Sequence, residues 1–151
     1  MGYLEDIRKI GRDANPFFRL MGIEVESFGE GRARLSMNVR PEMLNGVGWL
    51  QGGLYGALCD EAMALALYTV LEEGEQIATI SESTSYLRGV RNGKIEARAQ
   101  VVRKGRQVAF LEGCVMDAEE ILLSKTTASF TIFTKTDSSN SSMNLLSLVD
   151  H

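Results

Sequence analysis

Between Gln51 and Leu71 the chain is apolar or small at every position except Gln51, Asp60, Glu61 and Thr69. A helix of that composition has no polar face to offer to water, so other elements must enclose it. It cannot instead span a bilayer. Its continuous apolar part, Ala62 to Leu71, is half of the ~20 residues that a crossing needs, and Asp60 and Glu61 interrupt it upstream. Gly52, Gly53, Gly56 and Ala57 form a low-relief stretch near the start, where another backbone can come close. Two turns further in stands Asp60. Burying an unpaired charge is costly, so a chain normally avoids it or gives the charge a partner or a task.

The flanking segments supply what must wrap this helix. Leu4 to Ile10 and Pro16 to Leu20 read as short helical pieces, the second capped by Asn15 with Pro16 in its first turn. Ile23 to Phe28 reads as a strand, Gly29-Glu30-Gly31 as its turn, and Ala33, Leu35, Met37 and Val39 as the alternating positions of a hairpin partner that Pro41 ends. Beyond the helix, which Glu72-Glu73-Gly74 closes, come four strand candidates: Gln76 to Leu87, Lys94 to Arg103, Gln107 to Met116 and Leu122 to Phe133. Gly93, Gly105 and Asp117 to Glu120 mark turns between them. Two strands, one enclosed helix and four strands is an α+β pattern, and a curled antiparallel β-sheet around one long central α-helix satisfies it.

The 151 residues suit one domain, read here as 1–135, with a helical segment over 1–21 and a serine-rich tail over 136–151. Leu145, Leu146, Leu148 and Val149 in that tail could dock, although fraying is the ordinary fate of a terminus. A net charge of −4 argues against a nucleic-acid partner. No membrane span is expected, and no segment has the order of a secretory signal. The two cysteines, Cys59 and Cys114, are too few for a disulfide framework or a metal site, so a reducing cytoplasmic compartment is expected. The single histidine is His151, in the tail. A Ser-His-Asp triad, a Cys-His dyad or a histidine-ligated metal therefore has no candidate elsewhere.

The run Asn45-Gly46-Val47-Gly48-Trp49-Leu50-Gln51-Gly52-Gly53, followed by Asp60, resembles the motif of the hotdog-fold acyl-CoA thioesterases. The branch is the PaaI-like, phenylacetic acid degradation-type family. Its motif is Asn-x-x-Gly-x-x-His-Gly-Gly with an acid nine positions after the histidine. Asn45, Gly48, Gly52, Gly53 and Asp60 fall in register, and Gln51 stands where the family has histidine. The likeness extends upstream through Asn15 to Ile23 and downstream through Thr84 to Arg88 and Val102 to Arg106, so it covers roughly residues 15 to 133.

The resemblance implies hydrolysis of an acyl-CoA thioester to a free acid and coenzyme A. It implies a homo-oligomer, a dimer or a dimer of dimers (a homotetramer), with Asp60 of one chain facing the Gly52 loop of another. No metal and no cofactor are implied, coenzyme A being part of the substrate. Thioesters lack much of the resonance that protects esters and amides. A carboxylate can therefore attack one directly or deprotonate water without an imidazole, and desolvation makes it a better base. Asp60 is the candidate nucleophile or general base; its plain alternative is a carboxylate paired with an arginine at a subunit interface. Glu61 is a rival, but about 100° of helical rotation keeps both from facing one pocket. The N–H of Gly52, beside Gly53, is the candidate oxyanion donor, unless the pair only permits a tight helix entry.

Asn45 would orient water or thioester, or simply form a turn. Gln51 still donates and accepts hydrogen bonds but cannot titrate. Thr79 aligns with a hydroxyl position of related enzymes, or is an ordinary strand threonine. Arg88, Arg91, Arg103, Lys104 and Arg106 are candidates for the coenzyme A phosphates, or solvated hairpin ends. Tyr55, Met63 and Tyr68 could shape an acyl pocket or the core. Two other readings stay open. In one, an acyl-CoA-binding or regulatory protein has weak or no turnover because of Gln51. In the other, an enoyl-CoA hydratase acts, against which the missing histidine counts.

Overall fold

The computed structural model describes residues 2–134; the tail over 136–151 and its leucines lie outside the described residues. Three helices, α1 (Tyr3–Ile10), α2 (Pro16–Met21) and α3 (Gly52–Tyr68), accompany six strands. These are β1 (Glu24–Gly29), β2 (Arg32–Val39), β3 (Glu75–Tyr86), β4 (Gly93–Lys104), β5 (Val108–Asp117) and β6 (Leu122–Thr134). Every pairing is antiparallel, in the order β1-β2-β4-β5-β6-β3. The sheet curls around α3, which packs chiefly on β4, β5 and β2. This is the hotdog architecture.

Alternation decides which side chains meet the helix. Ala33, Leu35, Met37 and Val39 of β2, Ile95, Ala97 and Ala99 of β4, and Ala109, Leu111 and Val115 of β5 are all buried. On α3 they meet Tyr55, Leu58, Cys59, Ala62, Met63, Leu65, Ala66 and Leu67. Gly113 of β5 has no side chain because none fits. A Cβ there would lie 2.5 Å from Cys59 Sγ and 3.2 Å from the Arg98 carbonyl oxygen. Helix and sheet touch at that point.

Asn15 caps α2 as expected, its side-chain oxygen accepting the N–H groups of Phe17 and Phe18. Gly22 ends α2 in the left-handed conformation, and Ile23 N–H bonds back to Phe18 O at 2.8 Å, so β1 starts at Glu24 rather than Ile23. α3 also stops early, at Tyr68 instead of Leu71. Thr69 is the reason: its hydroxyl donates to Ala66 O at 2.6 Å and accepts from Gly31 N–H at 2.7 Å. One hydroxyl thus ties the helix end to the β1–β2 turn.

β3 is an edge strand, hydrogen-bonded on one side to β6 only. Its register skips one residue: Thr79 pairs with Phe130 and Ser81 with Ser129, which leaves Ile80 as a bulge. A bulge shifts the alternation of everything beyond it by one position.

Candidate active site

The loop before α3 is held by Asn45. Its Oδ1 accepts the N–H of Val47 at 3.0 Å and of Trp49 at 3.1 Å, while its own N–H bonds to Trp49 O at 2.7 Å. Leu50 N–H donates to Val90 O and Gln51 N–H to Met43 O, which fixes the loop between two neighbours. Trp49 lies against Gly89, with the Arg91 guanidinium 3.9 Å from its ring centre. Asn45→Ala is expected to lose about 2 kcal/mol, two hydrogen bonds at ~1 kcal/mol each. Asn45→Asp keeps the accepting oxygen and most of that stability. Thermal unfolding of both variants checks this, and equal losses would show that the oxygen is not the anchor.

Gln51 is the N-cap residue of α3, exposed, and its side chain makes no capping bond. The first amides of a helix have no partner within it, so the N–H groups of Gly52 and Gly53 point outward at the positive end of the dipole. The Tyr86 ring of β3 lies close against Gly52, 3.5 Å from where a Cβ would be. An anion or a polarised carbonyl oxygen can be received here.

Asp60 lies half-buried two turns along α3 and faces β3. The Thr79 hydroxyl donates to its Oδ1 at 2.9 Å. Glu82, which the bulge brings onto the Thr79 side of β3, stands beside Asp60. Glu82 keeps solvent-accessible surface on the open edge, yet the atoms around its carboxyl desolvate it. Its pKa is pushed up from 4.5 to about 8, first by burial, then by the hydrogen bond with Asp60 and the Asp60 charge. Glu61 turns away, as helical rotation requires. Asn15 Nδ2 donates to it at 3.3 Å and to the Tyr3 hydroxyl at 2.8 Å. Burial, then the Asp60 charge, raises the Glu61 pKa, and the Asn15 hydrogen bond opposes them.

A cleft of about 280 Å³ runs from Thr79 past Glu61, Ala64, Ile77 and Phe130 to Tyr3 and Tyr68. Tyr68 therefore lines space that an acyl group could enter, whereas Tyr55 and Met63 are core. A wider depression of about 740 Å³ lies elsewhere, on the side of the sheet carrying Arg34, Arg98 and Glu112. It holds none of the residues around Asp60. Cys59, next to Asp60, is fully buried and its thiol is pushed up to about 12, mainly by burial, which suits a core role.

The basic candidates divide into two groups. Arg88 and Arg91 follow the Tyr86 end of β3. Arg103, Lys104 and Arg106 lie near its other end, where Lys104 Nζ is 3.2 Å from Glu75 Oε1. Twelve residues of strand, ~40 Å at ~3.3 Å per residue, separate the groups within one chain. Gly52 and Asp60 are separated too. Eight helical residues amount to ~12 Å along the axis, too far for one carbonyl to touch both.

Glu82 and Tyr86 were missed by the sequence reading, because regular alternation places residues 79 and 82 on opposite faces. The bulge at Ile80 turns both toward α3, and only the cluster of hydroxyl and acidic residues over Thr79 to Ser85 could have hinted at it. Among the described residues there is no group of three or more metal-ligating side chains, and no helix long and apolar enough to cross a membrane.

The profile of the thioesterase superfamily matches residues 48–124, more than half of the chain. The chain belongs to the thioesterase superfamily. A Haemophilus influenzae protein is 35% identical over 88 residues, 58% of this chain; the match spans 64% of that protein, less than two thirds. Human acyl-coenzyme A thioesterase 13 is 29% identical over 109 residues, covering 71% of this chain and 77% of its own. The crystal structure of a Haemophilus influenzae thioesterase superposes with a TM-score of 0.78 at 27% identity, over 83% of this chain and 88% of that one. In this thioesterase-superfamily chain the matched segment contains Gln51, Gly52, Asp60, Thr79 and Glu82, while Asn45 precedes it.

Proposed function

We propose that the protein hydrolyses acyl-CoA thioesters, with Asp60 as nucleophile or general base and the Gly52 N–H as oxyanion donor. The observation that carries this reading is the half-buried Asp60 carboxylate bonded by Thr79, which together with Glu61 lines a cleft, in a thioesterase-superfamily fold. The kinship with human acyl-coenzyme A thioesterase 13 supports coenzyme A as the carrier.

The ~12 Å between Gly52 and Asp60 calls for two chains at each site. The open edge of β3, with Ile80, Tyr86 and Leu87 exposed, is the surface for a homodimer, and a dimer of dimers is the larger form. Two-fold antiparallel pairing of these edges brings the Tyr86 end of one chain toward the middle of its partner's β3. It also draws one chain's Arg103, Lys104 and Arg106 toward its partner's Arg88 and Arg91, which makes a basic rim for coenzyme A phosphates. Gly53 contributes a second outward amide, and Gln51 and Asn45 border the thioester. No metal or redox cofactor takes part, and the expected compartment is the cytoplasm.

Thiol release across a panel of aromatic and medium-chain acyl-CoA substrates tests the proposal. Cleavage of at least one member supports it. Binding without cleavage would favour the second reading, a binding or regulatory protein, for which Gln51 in place of a titratable residue is the motive. Gln51→His gives a separate expectation. It should raise kcat or add a limb to the pH–rate profile near pH ~6.5, absent from the parent. A variant with neither change would show that residue 51 does not approach the reacting atoms.

A further inference from the structure

We propose that Glu82 is a positioning residue for Asp60: its carboxyl keeps a proton and donates it as a hydrogen bond to the Asp60 carboxylate, beside the Thr79 hydroxyl, so that turnover requires one negative charge on the pair. This rests on the reading that Asp60 is the catalytic carboxylate.

The geometry begins with the bulge. In a regular strand, residues three apart face opposite sides; with Ile80 looped out, Thr79 and Glu82 become alternate positions on one face, both toward α3. The Thr79 hydroxyl reaches the Asp60 carboxylate at 2.9 Å, and Glu82, the next inward position of β3, stands beside the same carboxylate. Two carboxylates in hydrogen-bond contact cannot both be ionised cheaply, so the pair retains a proton. Among the described residues of one chain, Asp60 is the charged group that acts on Glu82. From α3 the groups that face the pair are Asp60 itself and the neutral Cys59 thiol, with Glu61 adding negative charge from beyond Asp60. From β6 the residue opposite Glu82 is Ala128, flanked by Thr127 and Ser129, none of them charged. A chain whose only histidine lies outside the described residues thereby acquires, in Glu82, a group that titrates at about 8.

The proton is not consumed. As a base, Asp60 takes a proton from water, the water oxygen bonds to the carbonyl carbon, the C–S bond breaks, and the proton on Asp60 passes to the departing coenzyme A thiolate. As a nucleophile, an Asp60 oxygen bonds to that carbon as the thiolate leaves. Water then hydrolyses the anhydride, releasing the acid and restoring the carboxylate. Glu82 holds the attacking oxygen in place throughout.

The test uses the full chain with phenylacetyl-CoA and octanoyl-CoA. The parent is expected to lose activity as pH rises through about 8. Glu82→Leu should lower kcat by about a hundredfold with KM little changed, the cost of a displaced reacting group. Glu82→Gln, whose amide still donates, should recover at least about tenfold of that loss and show no alkaline limb. An alkaline limb that persists in Glu82→Gln overturns the proposal. So does parent-like turnover in Glu82→Leu, or equal losses in both variants, which would make Glu82 a proton donor in the reaction instead.

A readout independent of turnover accompanies it. Between pH 4.5 and about 8 the folded chain holds a proton that the unfolded chain has released. Stability from this group is therefore full at low pH and falls as pH rises through that window. Melting temperature against pH should flatten in Glu82→Gln, and an unchanged slope overturns the pairing even if no substrate is found. Asp60→Asn, run alongside, separates the two claims: full activity there defeats the catalytic reading, whereas a dead Asp60→Asn with an intact alkaline limb in Glu82→Gln defeats only the role of Glu82.

Discussion

Asp60→Asn is expected to lower kcat by ~10²–10⁴ while leaving the fold and the oligomer unchanged. The substitution keeps the shape of the side chain and an oxygen to accept from the Thr79 hydroxyl, now 2.9 Å from Asp60 Oδ1. It removes the negative charge, and with it both direct attack and the abstraction of a proton from water. Part of what raises the Glu82 pKa is the Asp60 carboxylate, so Glu82 should ionise at lower pH in this variant. Kinetics on the acyl-CoA panel, with thermal unfolding as a control, check the result. Hydrolysis at the parent rate would move the chemistry to another group, and Glu61, on the next residue of α3, would be the first to test.

Gly113→Ala is expected to cost about 1–3 kcal/mol of stability. The added methyl carbon would sit 2.5 Å from Cys59 Sγ, 3.2 Å from Arg98 O and 3.5 Å from Met63 Cγ. Cys59 and Met63 are both fully buried, so neither has open space to move into. At ~2–4 °C per kcal/mol for a chain of this size, the melting temperature should fall by several degrees. Removing the sulfur with Cys59→Ala opens room for the methyl group. The double variant should therefore be more stable than the sum of the two single losses. Simple additivity, or a Gly113→Ala protein as stable as the parent, would mean that α3 and β5 can separate without cost.

The central helix and most strands were legible because burial imposes periodicity. Ala33, Leu35, Met37 and Val39 recur at every second position because every second side chain of β2 faces α3. The all-apolar run after Gln51 announced an enclosed helix, and the carboxylate inside it marked the candidate site. What was not legible depended on contacts between distant segments. Thr69 ends α3 by bonding to Gly31, thirty-eight residues away, so the helix stops before its apolar pattern does. The order β6-β3 at the edge follows from where the chain crosses over the helix, which no local pattern encodes.

Within the site, Asn45 as a turn former could be anticipated from residue type alone, and the loop amides on its Oδ1 bear out that part of the reading. Glu82 could not be, because a single bulged residue, Ile80, exchanges the faces of everything after it. The five basic candidates read in the sequence as clusters at two strand-turn regions, and the distance between those regions was not legible. They lie at the two ends of β3 and converge only if two chains pair along it.

The most direct test of the account is the structure of Asp60→Asn with an intact acyl-CoA bound. The thioester oxygen should accept the Gly52 N–H of one protomer, with the carbonyl carbon against residue 60 of its partner. The phosphates should rest among Arg88, Arg91, Arg103, Lys104 and Arg106. An acyl-CoA seated instead in the depression between Arg34, Arg98 and Glu112, with residue 60 remote from the thioester, would contradict it.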